Sequence, residues 1–276
     1  MADTDPLYRR VLDRLANPPP VVGVVRLAGV IGGLGPFRRG LTAETVEPLL
    51  RRAFGLKRAA GVAIALNSPG GSPVQSSLIG QRIRALADER KLPVYVFAED
   101  VCASGGYWIA AAGDHIYADP SSLIGSIGVI SAGFGFPEVL RRLGIERRLY
   151  TAGTRKGMLD PFQDENPDDV EHLKALQGDI HAAFMAHVRA RRGERLKATD
   201  DELFSGSVWT GARALDLGLI DGIGTIESVL RDRVAANVQI KRISIRRPFW
   251  RRGPSVVFDD AIAQIEERLA WARFGL

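Results

Sequence analysis

Gly61-Val62-Ala63-Ile64-Ala65-Leu66 runs straight into Asn67-Ser68-Pro69-Gly70-Gly71, and this junction decides the fold. The apolar run is continuous rather than alternating, as in a strand covered on both faces of a parallel sheet. Asn67 to Gly71 end it with turn chemistry. Ser76–Leu86 then takes up a helical period, so a strand hands over to a helix. Upstream, Val21–Ile31 reads as a strand, and Thr42 caps an amphipathic stretch with Val46, Leu49, Leu50 and Phe54 on one face. Downstream, Pro93–Ala98 reads as a strand and Ser104–Ala112 as a helix buried on all sides. His115–Ala118 and Gly128–Ser131 read as short strands, Pro137–Leu143 as a helix and Arg147–Thr151 as a further strand. Strands alternating with helices predict an α/β fold with a mainly parallel sheet. Beyond Pro167 the pattern is helical. Val170–Arg191 carries Leu173, Leu176, Ile180, Phe184 and Val188 at three- and four-residue steps, and Thr210–Leu217 and Gly222–Val234 follow as helices.

The composition fits such a fold: 276 residues, 46% hydrophobic and 25% charged, enough to bury a core without staples. The single cysteine, Cys102, excludes a disulfide framework and fits a reducing compartment. A net charge of +5 spread over the chain does not mark a nucleic-acid binder. Before Pro18-Pro19-Pro20 there is neither a basic start nor an apolar run, so no secretory signal is expected. Pro120–Pro137 lacks charge but holds four glycines and four serines, which reads as strand and loop rather than a membrane span. A cytoplasmic location is expected.

Two glycine-rich turns sit where strands hand over to helices: Asn67–Gly71 and Ala103-Ser104-Gly105-Gly106. Glycines let the backbone turn sharply there, and free N–H groups at both turns can aim at one oxygen atom, forming an oxyanion hole. Ser104 is either a helix N-cap or a nucleophile favoured by the helix start. A nucleophilic serine needs a base. His115 opens a strand, and His172, His181 and His187 lie along one helix, with structural or surface roles expected of all four. Lys156 lies in a glycine-flanked loop, Thr151 to Phe162, as a solvated charge or a base. Free lysine titrates near about 10.4, and lowering it about three units costs roughly 4 kcal/mol, which burial or the adjacent Arg155 must supply.

Taken in order, Asn67-Ser68-Pro69-Gly70-Gly71, Ala103-Ser104-Gly105-Gly106-Tyr107, Gly125-Ser126-Ile127-Gly128-Val129, and Lys156 with Pro161-Phe162 five residues on, the chain resembles the signal peptide peptidase A family from Val21 to Val234. These are Ser/Lys-dyad serine peptidases, and the likeness is to the short, single-domain SohB-like branch. The resemblance implies a crotonase/Clp-protease-like superhelix with a helical C-terminal part. It implies Ser104 as nucleophile, Lys156 as general base, Gly71 and Gly105 as oxyanion-hole amides and Ser126 as the serine that orients the lysine. It implies peptide or unfolded-protein substrates, no metal or organic cofactor, no nucleic acid, and a homo-oligomer whose active sites are shared between subunits.

The corresponding organisation is a lead-in over residues 1–20, a peptidase domain over 21–234, and a basic linker with an amphipathic helix over 235–276. Lys241 to Arg252 holds six cations and no acid, and Val256–Phe274 is amphipathic. That tail reads either as a helix packed on a neighbouring subunit or as a peripheral contact with an anionic membrane. The family's usual N-terminal membrane helix is not expected here, so the resemblance implies signal-peptide remnants or other extended, hydrophobic peptides as substrates, with the peptidase chemistry untouched. Two rival readings share the fold: a crotonase-type acyl-CoA hydratase or isomerase, which needs acidic catalytic residues, and a non-catalytic oligomeric scaffold.

Overall fold

Strands β1 (Val21–Ala28), β2 (Ala59–Ser68) and β3 (Val94–Ala103) run parallel, side by side, at the centre of one sheet. The computed structural model describes residues 18–32, 40–244 and 271–275. β3 is long enough to serve two neighbours. Tyr95–Ala98 pairs with β4 (His115–Ala118), and Val101–Ala103 pairs with β5 (Leu123–Gly125), both parallel. β6 (Val208–Thr210) adds to β5 antiparallel, β7 (Gly222–Ile223) adds to β4, and β8 (Gln239–Ile243) lies beside β1. The predicted mainly parallel α/β architecture is therefore present. β8 lies past residue 234, so the sheet runs on into the 235–276 segment.

The sheet is covered on both faces, as the apolar run of β2 predicts. Val62, Ile64 and Leu66 enter one core cluster, while Ala63 and Ala65 enter the other with Tyr95, Phe97 and Tyr117. Helix α1 (Ala43–Phe54) starts on a reciprocal Thr42–Thr45 capping box and buries Val46, Leu50, Ala53 and Phe54. Helix α2 (Pro73–Arg90) starts on Ser72, whose hydroxyl accepts from the Gln75 amide, and buries Ile79, Ile83 and Leu86. Helix α3 (Gly105–Ala111) has every residue buried, matching the all-round apolarity of its sequence. The two cores thus enclose β2 on both faces, and the first also holds Cys102 of β3 and Ile124 of β5.

The chain between the core and its return helix behaves differently. No residue from Gly128 to Ala183 is buried. This arm holds helix α4 (Pro137–Arg142) and most of helix α5 (Pro167–Arg192), whose buried residues, Phe184, Val188 and Arg192, all lie near its end. The predicted strands Gly128–Ser131 and Arg147–Thr151 are absent. A strand needs a partner for its N–H and C=O groups, and among the described residues the arm finds none. Of the predicted α5 stripe, Leu176 and Ile180 face solvent. The remaining short helices are α6 (Asp200–Leu203), α7 (Gly211–Asp216) and α8 (Ile226–Arg233). Most of the basic tail and its amphipathic helix, like residues 1–17, lies outside the described residues. Among the described residues no helix is long and apolar enough to cross a membrane.

The end of α5 is fastened by an ion pair. The Arg192 side chain is 1% exposed, and its Nη1 lies 2.8 Å from Asp221 Oδ2. Its Nε and Nη2 both donate to the Gly218 carbonyl, and the Ile116 amide donates to the same aspartate. Burial alone would push the Asp221 carboxyl up, but Arg192, the Ile116 amide and Arg195 outweigh it and hold it below the usual range. A depressed carboxylate stabilises the fold above its unfolded value near about 4, and the contribution is lost as pH falls through the folded-state value. Arg192→Leu is expected to lower the unfolding free energy at pH 7 by about 3 kcal/mol in urea titrations. The gap to wild type should narrow below about pH 4. A neutral effect at pH 7 would show that the pair does not hold α5 in place.

Candidate active site

The carboxyl ends of β2, β3 and β5 lie side by side, and each delivers one of the turns singled out in the sequence. Asn67 ties the first two together: its Oδ1 accepts from the Val101 amide at 3.0 Å, and its Nδ2 donates to Asp100 at 2.7 Å. The third joins through the Ser104 amide, which donates to the Gly125 carbonyl at 2.8 Å. Open parallel sheets present ligands at this end.

Ser104 sits between buried β3 and buried α3 with φ 52° and ψ −123°. A non-glycine residue with such dihedrals carries strain of about 1–3 kcal/mol, held in place by its surroundings. It occupies the N-cap position, yet its side chain makes no capping hydrogen bond. The hydroxyl is thus left for other work, and the simple helix-cap reading loses its support. Cys102, two residues earlier, is fully buried and burial pushes its thiol up, so it offers no thiolate as a rival nucleophile.

Two glycines make room for this turn. Gly70 has φ 108°, and a Cβ there would lie 2.7 Å from Ser104 Cβ and 3.0 Å from its Oγ. Gly71 has φ 139°, and a Cβ there would collide with the Ile31 carbonyl. A Cβ on Gly105 would collide with the Ser76 hydroxyl and come 3.5 Å from the Gly71 amide nitrogen, so Gly71 and Gly105 are near neighbours. Among the described residues neither amide has a hydrogen-bond partner. Two free N–H groups beside an unpaired, strained serine hydroxyl form the arrangement that acyl transfer through a serine requires.

Ser126 follows Gly125 directly, with φ 51° and its amide on the Ser207 carbonyl at 2.7 Å. Lys156 is not brought to the others. It lies exposed on the arm, its amide on the Gly153 carbonyl at 3.2 Å, and it does not hydrogen bond to Ser104 within the chain. Arg155 beside it is exposed as well. The bracing of the turns by Asn67 and Asp100 has no signature in residue type or spacing. His181 and His187 are half-buried against backbone carbonyls rather than solvent-facing, and no spacing rule points to a partner 54 or 79 residues away. Among the described residues no three His, Cys, Asp or Glu side chains group as a metal site.

A strained serine beneath two free amides on a parallel α/β sheet defines a serine hydrolase-like class. Comparison with known proteins narrows it: the model of peptidase family S49 matches residues 87–241, a stretch containing Ser104, Ser126 and Lys156. The chain belongs to peptidase family S49. It is 50% identical over 273 residues to a Brucella abortus protein named Na(+)/H(+) antiporter NhaA, covering 92% of this chain and 37% of that one. It is 29% identical over 239 residues to Protease 4 of Haemophilus influenzae, covering 83% of this chain and again 37% of the relative. The chain thus spans little more than a third of either. A solved structure of similar fold is a lysine-to-alanine mutant of the 1510-N membrane-bound stomatin-specific protease in complex with a substrate peptide. Its TM-score is 0.52 at 18% identity, over 90% of this chain and 98% of that one.

The crowding around Gly105 is testable through Ser76. Gly105→Ala is expected to destabilise the protein by about 2 kcal/mol by driving a methyl group into the Ser76 hydroxyl. Adding Ser76→Ala should recover about 1 kcal/mol in thermal melts. Strictly additive losses would mean that the two residues do not touch.

Proposed function

We propose that the protein is a serine endopeptidase that cleaves extended, hydrophobic peptides through an acyl-enzyme, signal-peptide remnants among them. The observation that carries this reading is the free Ser104 hydroxyl on a strained turn beside the unpaired Gly71 and Gly105 amides. Ser104 Oγ attacks the scissile carbonyl, and the Lys156 amine, unprotonated as it acts, takes the hydroxyl proton. The tetrahedral oxyanion accepts from the Gly71 and Gly105 amides, each worth on the order of 3 kcal/mol in comparable sites. Lys156 then returns the proton to the leaving amine, water attacks the acyl-enzyme by the reverse route, and the acid product leaves. The Ser126 hydroxyl orients the lysine.

Within one chain the base is missing from this scheme, and the arm supplies the reason. It exposes Phe134 (81%), Tyr150 (89%), Phe136, Leu143 and Phe162 around the Lys156 loop. Apolar surface of that extent marks a surface that a partner covers. In our reading the partner is a second copy of the chain, whose site receives Lys156 as the arm's apolar side chains are buried. The domain division into 21–234 and a basic tail belongs to the same reading, as does work on the cytoplasmic side close to a membrane. The names of the Brucella relative and of the 1510-N protease support a membrane setting, and the acid-free run that begins at Lys241 suits an anionic surface. The hydratase alternative is disfavoured by the carboxylates at this end of the sheet. Asp100 is engaged by Asn67 and Glu99 by Arg26, which leaves neither free to act on a thioester.

Ser104→Ala and Lys156→Ala should each abolish peptide hydrolysis, and Ser104→Ala should abolish covalent labelling by a fluorophosphonate. Co-expression of the two inactive variants in equal amounts separates the geometries. With Ser104 and Lys156 drawn from different chains, half the serines are intact and half of those meet an intact lysine, so about a quarter of the activity returns. No recovery would place both groups in one chain, and labelling that survives Ser104→Ala would end the peptidase reading.

A further inference from the structure

Helix α5 reaches the candidate site at two levels. His187 Nε2 lies 3.0 Å from the Trp108 carbonyl, and the imidazole stacks on the Trp108 ring with centroids 5.4 Å apart. One turn on, Arg191 Nε and Nη2 donate to the carbonyls of Ala111, Ala112 and Gly113 at 3.1, 3.3 and 3.1 Å. These contacts hold the helix that leads away from Ser104. Six residues before His187, His181 Nε2 lies 3.2 Å from the Ile127 carbonyl. A carbonyl can only accept, so Nε2 carries the proton in both rings.

Ile127 is the centre of a three-residue turn in which the Gly128 amide donates to the Ser126 carbonyl at 3.0 Å. Its side chain is fully buried. Ser126 has positive φ and, among the described residues, its hydroxyl makes no hydrogen bond. Such a turn keeps a strained conformation only where its surroundings over-determine it. Three fasteners are present: the Gly125 carbonyl on the Ser104 amide, the Ser126 amide on Ser207, and the Ile127 carbonyl on His181. Only the last comes from α5, the helix that also grips α3.

We propose that His181 is a positioning residue of the site, holding the Ser126 turn against the same rigid helix that holds the Ser104 helix. The inference rests on the peptidase reading for its kinetic consequence, while its structural consequence stands without it. Loss of the His181 donor lets the Ser126 turn relax while α3 stays in place through His187 and Arg191. The lysine that Ser126 would orient then loses alignment, whereas binding of the extended peptide is spared.

Two variants separate positioning from mere packing. His181→Leu removes the donor; His181→Gln keeps an N–H at nearly the same reach. In His181→Leu, kcat for peptide hydrolysis should fall about fivefold with KM unchanged, and His181→Gln should restore it to within about twofold of wild type. In hydrogen exchange, the amides of residues 126–128 should exchange faster in His181→Leu and recover in His181→Gln, while those of α3 keep wild-type protection. Wild-type exchange at the Ser126 turn in a folded His181→Leu protein would overturn the proposal. So would a change that spreads equally through α3. A wild-type protein that hydrolyses no peptide would sink the peptidase reading instead, and the exchange measurement would still decide this one.

Discussion

Ser104 adopts a positive φ between the buried strand end Val101–Ala103 and a helix buried throughout, and the rest of the molecule is arranged to keep it there. On its own, such a residue would relax into an ordinary helix N-cap and gain a hydrogen bond in doing so. It cannot, because β5 fixes its amide side through the Gly125 carbonyl and α3 fixes its carbonyl side through the Trp108 amide. Gly70 then supplies the empty volume into which the side chain is turned. The strain is local and small, whereas the contacts resisting its release belong to the core of the whole sheet. A half-buried hydroxyl with no capping hydrogen bond is the outcome, and its direction is set by burial elsewhere.

This division explains what the sequence could disclose. The continuous apolarity of Val62–Leu66 and the small, apolar run from Gly105 to Ala111 are consequences of burial on all sides, so they are legible in the chain itself. The glycine turns are legible for a related reason, since Gly70 and Gly71 answer to backbone angles that other residues resist. Gly128–Ser131 and Arg147–Thr151 carry a β-like composition too, but a strand is a pairing, and composition does not report whether a neighbour exists. β6 and β8, two short edge strands, carry too little pattern to announce themselves. The roles of His181 and His187 were hidden because their partners are backbone carbonyls, which every residue possesses.

The arm from Gly128 to Ala183 is where local and global preferences disagree. Its phenylalanines, leucines and tyrosine sit in water, although each would bury on the order of 150–250 Å² if aromatic. A natural sequence resolves such conflicts or puts them to use. The same segment bears Lys156, the residue the chemistry lacks. In the proposed assembly one step resolves both: a second chain covering the arm would bury its apolar surface and bring an amine to a serine.

Sequence can identify a serine and a lysine that belong to one reaction, but in a homo-oligomer every copy carries both, so it cannot say which copies meet. Structure narrows the question through reach. Ser104 is held rigidly by three strand ends, whereas Lys156 rides on a segment with no buried anchor of its own. On the proposed function, the nucleophile is prepared within the chain and the base arrives with assembly. A site built as proposed would stay inactive in the isolated chain, and the apolar contact that covers the arm would also be the contact that starts the chemistry.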